Sequence, residues 1–322
     1  MKVLHYIAYL IVYGLWFLMS LLPFCVLYLL SDGLYLLITY VIRYRHQVIW
    51  KNLSECFPEK DKREIRKIEK DFYQWFCDYL VETVKLMTIS KKNLMKHMTF
   101  TGMEAFNNAL NNKQSCALYL GHYGNWEWIT SLSYWVPEHV LCTQLYHPLE
   151  NKYFDHLFKY VRERQQGVCI PMKESIRKVI SLTNEGKTLV VGFIADQAPM
   201  WNNIHHWVDF LHHETPVLTG SEKIAKRMNM AVFYGDVTSR KRGYYNCEMK
   251  LMTETPQEQE EFKITNLYFE LLEETIKRVP HLWLWSHNRF KRTHEEFDRL
   301  FEVTKEGKVV WKDDEMRHAN SI

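Results

Sequence analysis

The chain has 322 residues, 47% hydrophobic and 15% aromatic, with 41 Lys and Arg against 38 Asp and Glu for a formal charge of +3. That length supplies core for one large domain or two small ones, and so mild a charge argues against a nucleic-acid binder. Its seven cysteines are scattered and never form a Cys-x2-Cys pair, which points to a reducing compartment and excludes the usual structural zinc patterns.

From Tyr6 to Ser31 no side chain is charged. This run of about 26 residues exceeds the roughly 20 that a helix needs to cross a bilayer. A first helix is expected over residues 4–22, stopped by Pro23. A second apolar stretch continues to Ile42, broken only by Ser31 and Asp32, and it reads either as another span or as a re-entrant or interfacial helix. No small-residue cleavage site follows, so the first helix is an anchor rather than a removable signal. Arg43, Arg45 and Lys51 outweigh Lys2, and the positive-inside rule then puts the C-terminal body in the cytoplasm. The expected organisation is an anchor with an interfacial helix over 1–45, a folded body over 46–301 and a polar tail over 302–322.

Residues 44–57 form a basic helix ended by Pro58. Ile65, Ile68, Phe72, Trp75, Phe76, Tyr79, Leu80 and Val84 then recur at helical spacing, as on a helix with one face against the core. Strands are expected at 98–101, 116–120, 140–145, 188–194, 232–237 and 245–252, with helical segments between them except for the last two, which a basic turn at 239–243 joins. This alternation predicts an α/β fold, a central mixed sheet flanked by helices.

The stretch that carries chemistry follows the second strand, where Leu120 gives way to Gly121-His122-Tyr123-Gly124-Asn125-Trp126-Glu127. The glycines allow a sharp turn, and residues 125–129 read as the start of a helix. Five residues apart on a straight helix, His122 and Glu127 would lie roughly 140° from each other. The pair meets only if His122 precedes the helix and curls back over its N-terminus. Glu127 would then accept one imidazole N–H and leave the other nitrogen to take a proton.

Gly-His-Tyr-Gly-Asn-Trp-Glu resembles the His-x4-Asp/Glu motif of the lysophospholipid and glycerophosphate acyltransferases, and its Glu form is most similar to the lipid A late acyltransferases. The resemblance extends over about residues 20–292. It includes Asn52-Leu53 and Phe57-Pro58-Glu59, Tyr146-His147-Pro148, Arg162-x-Arg164, Asp196-Gln197, Thr219-Gly220 and the closing Pro280-x2-Trp283-x-Trp285-x-His287-x-Arg289-x-Lys291. His147 and Lys152 depart from the family pattern, and the Pro-Glu-Gly-Thr-Arg element of the lysophosphatidate enzymes is absent.

The resemblance implies a glycerophosphate-acyltransferase-like fold and a membrane-bound enzyme that moves an acyl chain from an acyl carrier protein thioester to a hydroxyl of a lipid A precursor. Relatives use acyl-CoA or other glycolipid, aminolipid and lysophospholipid acceptors, and a catalytically silent lipid-binding relative is the alternative of another class. Direct transfer needs no cofactor and no metal. His122, Glu127 and Arg162 are carried over as catalytic, with Arg162 steadying an oxyanion or binding a phosphate. Arg164, Asp196, Asn125 and Tyr146 are carried over as substrate-binding, Asp196 either receiving a polar part of the lipid or holding Arg162. Trp201, Trp207, Phe210 and Leu211 are expected to wall an acyl site. The implied setting is the bacterial inner membrane, with the catalytic domain on its cytoplasmic side.

Overall fold

In the computed structural model, residues 2–305 and 307–312 are described. The chain begins with two apolar helices, α1 (Lys2–Leu21) and α2 (Phe24–Leu36), with Pro23 between them and a π-turn, Leu37–Val41, extending the second. Among the described residues, Phe24–Val41 is the one helical window both long and apolar enough to cross a membrane. Both helices lie along the body. Tyr6 and Tyr9 pack on Tyr153, and Trp16 meets Phe158 edge-on. Lys85 Nζ donates to the carbonyls of Ser20 and Leu22, each at 2.8 Å. Asp32, the one charge in the second apolar stretch, is held by Arg242 at 2.6 Å, and the same guanidinium reaches Asp78 at 2.6 Å.

The body opens with α3 (His46–Cys56) and α4 (Lys62–Lys85). Asp61 and Glu64 form a capping box that satisfies backbone N–H groups at the start of α4. The chain continues through α5 (Lys91–His97), β1 (Met98–Thr101), α6 (Met103–Asn111), β2 (Cys116–Leu120), β3 (Val140–Tyr146), α7 (Lys152–Glu163), β4 (Val168–Pro171), α8 (Ser175–Asn184) and β5 (Thr188–Ile194). A hairpin of β6 (Trp207–Phe210) and β7 (His213–Pro216) precedes α9 (Gly220–Arg227), β8 (Ala231–Lys241), β9 (Tyr244–Thr253), α10 (Lys263–Arg278) and α11 (His294–Leu300). The alternation in the sequence thus yields an α/β fold. Its seven-stranded sheet runs β1-β9-β8-β2-β5-β3-β4, parallel except where β8 meets β9.

The central strand β2 is buried throughout because β5 and β8 flank it on both edges and helices cover both faces. Trp201 and Trp207, expected on the wall of an acyl site, lie apart from the main core. They pack with Phe297, Leu300 and Phe301 in a satellite cluster, while Phe210 and Leu211 are fully buried in the main core. A last hairpin, β10 (Phe301–Val303) with β11 (Val309–Trp311), joins that cluster, so ordered structure runs past the expected boundary at 301. The remainder of the expected tail, 313–322, lies outside the described residues.

One buried carboxylate ties four elements together. Glu82 of α4 accepts from Asn125 Nδ2 at 2.6 Å, from Tyr28 of α2 at 2.9 Å and from Tyr245 of β9 at 3.1 Å. Burial pushes its carboxyl up from an ordinary 4.5 to about 8, despite these hydrogen bonds to the anion. Between those values the folded chain keeps a proton that the unfolded chain has released. The contribution of Glu82 to stability is therefore full below 4.5 and is lost as pH rises through about 8. Glu82→Gln has no proton to lose. The expected result is that the unfolding midpoint of the wild type, minus that of the variant, decreases steadily between about pH 5 and pH 8; a constant difference would mean that Glu82 does not titrate in this window.

Candidate active site

Strand register decides who meets whom. Leu120 of β2 lies beside Ile194 of parallel β5, so His122 and Asp196, each two residues further on, emerge side by side at the carboxyl ends of their strands. Ligand groups gather at such ends in parallel sheets. His122 Nδ1 is 2.6 Å from Asp196 Oδ1, and the His122 backbone N–H donates to Asp196 Oδ2 at 2.8 Å. A third donor, Trp283 Nε1, reaches the same Oδ2 at 2.8 Å. Burial alone would raise the Asp196 carboxyl, but the charge of His122 and these hydrogen bonds outweigh it and bring it down to about 2. The anion fixes the ring with its proton on Nδ1, leaving the lone pair of Nε2 free. The amide Nε2 of Gln197 is within hydrogen-bond reach of that nitrogen, 3.4 Å away.

The turn that carries His122 needs its glycines. A Cβ on Gly121 would come within 2.7 Å of Leu272 Cδ1, and Gly124 takes φ +59° with Val237 Cγ1 only 2.6 Å from where its Cβ would be. Residues 282–285 strap this turn to the body. Gly124 N–H donates to the Leu282 carbonyl at 2.9 Å, and Leu284 N–H donates to that of His122 at 3.1 Å. The strap is held from behind. Asn52 Nδ2 donates to the carbonyls of Trp285 and His287 at 2.9 and 3.0 Å, and Arg45 to that of Ser286 at 2.7 Å. Arg289, fully buried, binds Thr215 Oγ1 and the Pro216 carbonyl.

Glu127 is not the partner of His122. It is buried at the start of a short 3-10 helix, Trp128–Tyr134, and faces Arg162 in the last turn of α7. Arg162 donates from Nε to Oε2 at 2.8 Å and from Nη2 to Oε1 at 2.5 Å, a bidentate ion pair. Burial works against the charge of Arg162, but the adjoining carboxylate overcomes it and holds the guanidinium more firmly cationic than usual. A guanidinium has five N–H donors, so this pair leaves three of them.

His122, Glu127 and Arg162 line one cavity of about 370 Å³. Strand alternation builds its apolar wall: Leu118 and Leu120 of β2, and Val190, Gly192 and Ile194 of β5, share one sheet face. Ile129, Leu132 and Phe158 add further apolar lining. The wall extends down the sheet from Ile194 to Val190, roughly 13 Å at the usual strand rise.

Of the residues expected to bind substrate, Tyr146 lines the cavity, its hydroxyl 3.4 Å from Asp155 Oδ2. The other three do not. Arg164 is exposed at the C-cap of α7, one position past the end of the helix, and is turned to the hydroxyl of Tyr160. Asn125 is completely buried and spends its amide on Glu82 and on the Trp128 N–H. Asp196 stands beneath His122 and holds neither Arg162 nor a lining position. The sequence reading assigned no role to Trp283 or Gln197. Their signal was position alone, Gln197 next to Asp196 and Trp283 inside the closing motif.

A model of the bacterial lipid A biosynthesis acyltransferase family matches residues 1–292. The chain is also similar to the lipid A biosynthesis lauroyltransferase of Escherichia coli strain K12, 23% identical over 281 residues that cover 86% of this chain and 89% of the relative. The chain therefore belongs to that acyltransferase family, and it is an acyltransferase. The Asp196 network gives a structural test. Asp196→Ala strands three donors, at a cost of about 1–3 kcal/mol for each unsatisfied buried group. It should destabilise the protein by about 3 kcal/mol or more, measured as a shift of the denaturant midpoint in detergent. Arg164→Ala should stay within about 0.5 kcal/mol of wild type. Equal stability of the two variants would contradict the network.

Proposed function

We propose that this enzyme transfers a fatty acyl chain from an acyl carrier protein thioester to a hydroxyl of a lipid A precursor at the membrane surface, with His122 as general base. The observation that carries the reading is the His122–Asp196 pair set at one end of an apolar cavity. The thioester's chain fills the cavity and its carbonyl comes to rest near His122. Nε2 removes the proton of the acceptor hydroxyl as that oxygen attacks the carbonyl carbon. The carbon–oxygen bond forms, the tetrahedral oxyanion draws on the remaining donors of Arg162, and the carbon–sulfur bond then breaks. Nε2 returns its proton to the departing thiolate, so the ring ends as it began. Asp196 keeps the ring oriented throughout, and Glu127 positions Arg162 rather than the base.

The donor and acceptor come from the family and from the printed activity of the relative, a lipid A biosynthesis lauroyltransferase. The proposed membrane seating comes from the first two helices. Leu10, Ile11, Leu15 and Leu18 of α1 and Leu29 of α2 are exposed, while other side chains of both helices are engaged with the body. Such a pair enters one leaflet edgewise, with its apolar residues in lipid and the body at the surface. The basic residues Arg43, Arg45 and Lys51 that follow support a seating on the cytoplasmic side of the bacterial inner membrane, the side toward which such residues are biased.

In acyl transfer by the purified full chain, followed by mass spectrometry of the lipid product, His122→Ala and Asp196→Asn should each lose about 10²–10⁴-fold. Arg162→Ala should lose about 10²–10³-fold, whereas Arg164→Ala stays near wild type. Near-normal transfer by His122→Ala would contradict the catalytic assignment. The cavity gives a separate expectation. A Cβ at Gly192 would meet only the Thr143 carbonyl, at an unstrained 3.5 Å, so Gly192→Leu should extend its side chain into the acyl space. Competing thioester donors of different length should then show a shift in preference toward shorter chains. An unchanged preference would mean that the acyl chain lies elsewhere.

A further inference from the structure

A second cavity, of about 360 Å³, shares no lining residue with the first. It sits where the apolar N-terminal segment gives way to the body, between the π-turn that ends α2 and the first half of α4. Its charged groups are Arg43, His46, Arg66, Glu69 and Lys70. Glu69 is buried and already spoken for, its Oε1 being 2.5 Å from His46 Nδ1. Arg43, Arg66 and Lys70 have no carboxylate within 4.0 Å among the described residues, although Arg66 rests over the Trp50 ring at 6.0 Å. Three cations thus share one hollow with a single carboxylate, Glu69, which pairs with His46 rather than with any of them.

Two further observations point to a ligand. Thr39, also on the lining, has its Oγ1 buried with no hydrogen-bond partner among the described residues. A buried hydroxyl left unpaired is costly, and native proteins keep few of them. The backbone here is also unusual. A π-turn is followed by Arg43 and Arg45 in the left-handed region, at φ 52° and 50°. Non-glycine residues hold that conformation at a cost that recurs at ligand clamps, and π-turns recur at functional sites.

We propose that this cavity binds a phosphate group carried on a membrane lipid. Guanidinium groups match phosphate oxygens bidentately, an ammonium adds a compact charge, and the Thr39 hydroxyl supplies one more donor. Leu36, Leu37, Val41 and Ile42 are exposed beside it on the same segment, which suits the acyl chains of the same molecule. The binding is independent of acyl transfer, so it stands or falls separately from the catalytic reading.

The test titrates the full chain, in neutral detergent, with dioctanoyl phosphatidic acid, dioctanoyl phosphatidylcholine and inorganic phosphate, reading bound ligand by native mass spectrometry. Phosphatidic acid should bind more tightly than either of the others. The double variant Arg66→Ala/Lys70→Ala should weaken it by about tenfold or more. Thr39→Val keeps the side-chain shape and should weaken it as well, and it decides the matter should the double variant fail to fold. Inorganic phosphate binding as tightly as phosphatidic acid would overturn the lipid source and leave a free-phosphate site. Wild-type affinity in the variants would overturn the phosphate site itself, and equal binding of phosphatidylcholine, whose phosphodiester is offset by its own cation, would overturn recognition of an anionic phosphate.

Discussion

The carboxylate of Asp196 is the point on which the site depends. It is buried, and a buried anion is tolerated only when its charge is met and its lone pairs are filled. Three donors from two segments do this: the backbone and ring of His122, and the indole of Trp283. The geometry of the catalytic turn is in this sense the solvation shell of one anion. It also explains contacts far along the chain. Trp283 sits on the 282–285 strap, which is pinned to the His122 turn on one side and to Asn52 and Arg45 on the other. Residues near the start of the body and near residue 285 are therefore coupled through backbone carbonyls, although none of Arg45, Asn52 and Trp285 is on the lining of the cavity.

A second ion pair keeps a different function apart from the first. Glu127 and Arg162 face each other bidentately on a 3-10 helix and on α7. Separating the two pairs has a chemical use. A carboxylate shared between imidazole and guanidinium would compromise both, whereas in the proposed mechanism one anion orients the base and the other holds a cation for developing negative charge. His122, Glu127 and Arg162 line one cavity, whose aliphatic wall is interrupted by polar groups of Thr143, Gln144 and Asp155.

Much of this was legible in the sequence. The helix–strand alternation gave the layered fold, the apolar run ending at Gly121 gave the strand that delivers His122, and the recurrence of Trp283, Trp285 and Arg289 gave the family. The partner of His122 was not legible. Sequence spacing favours Glu127, five residues away, over Asp196, which is 74 residues away. Only the parallel register of β2 beside β5 brings Asp196 alongside, and strand order is a tertiary property that no local pattern encodes. Arg164 misled for a related reason. Two residues past Arg162 it has turned to the far side of the helix end, so the motif's second arginine reaches solvent. Asn125, read as a group for substrate, was recruited by the buried Glu82, a carboxylate whose place in the helix pattern gave no hint of its neighbours.

The central claim is that Asp196, not Glu127, sets which nitrogen of His122 is free. Isotope-labelled histidine, with the His122 signals assigned by their loss in His122→Gln, reports directly which ring nitrogen carries the proton in the full chain in detergent. The account predicts a proton on Nδ1 and an unprotonated Nε2 in the wild type, the same pattern in Glu127→Gln, and its loss in Asp196→Asn. A proton found on Nε2 in the wild type, or a pattern that changes with Glu127 and not with Asp196, would contradict it.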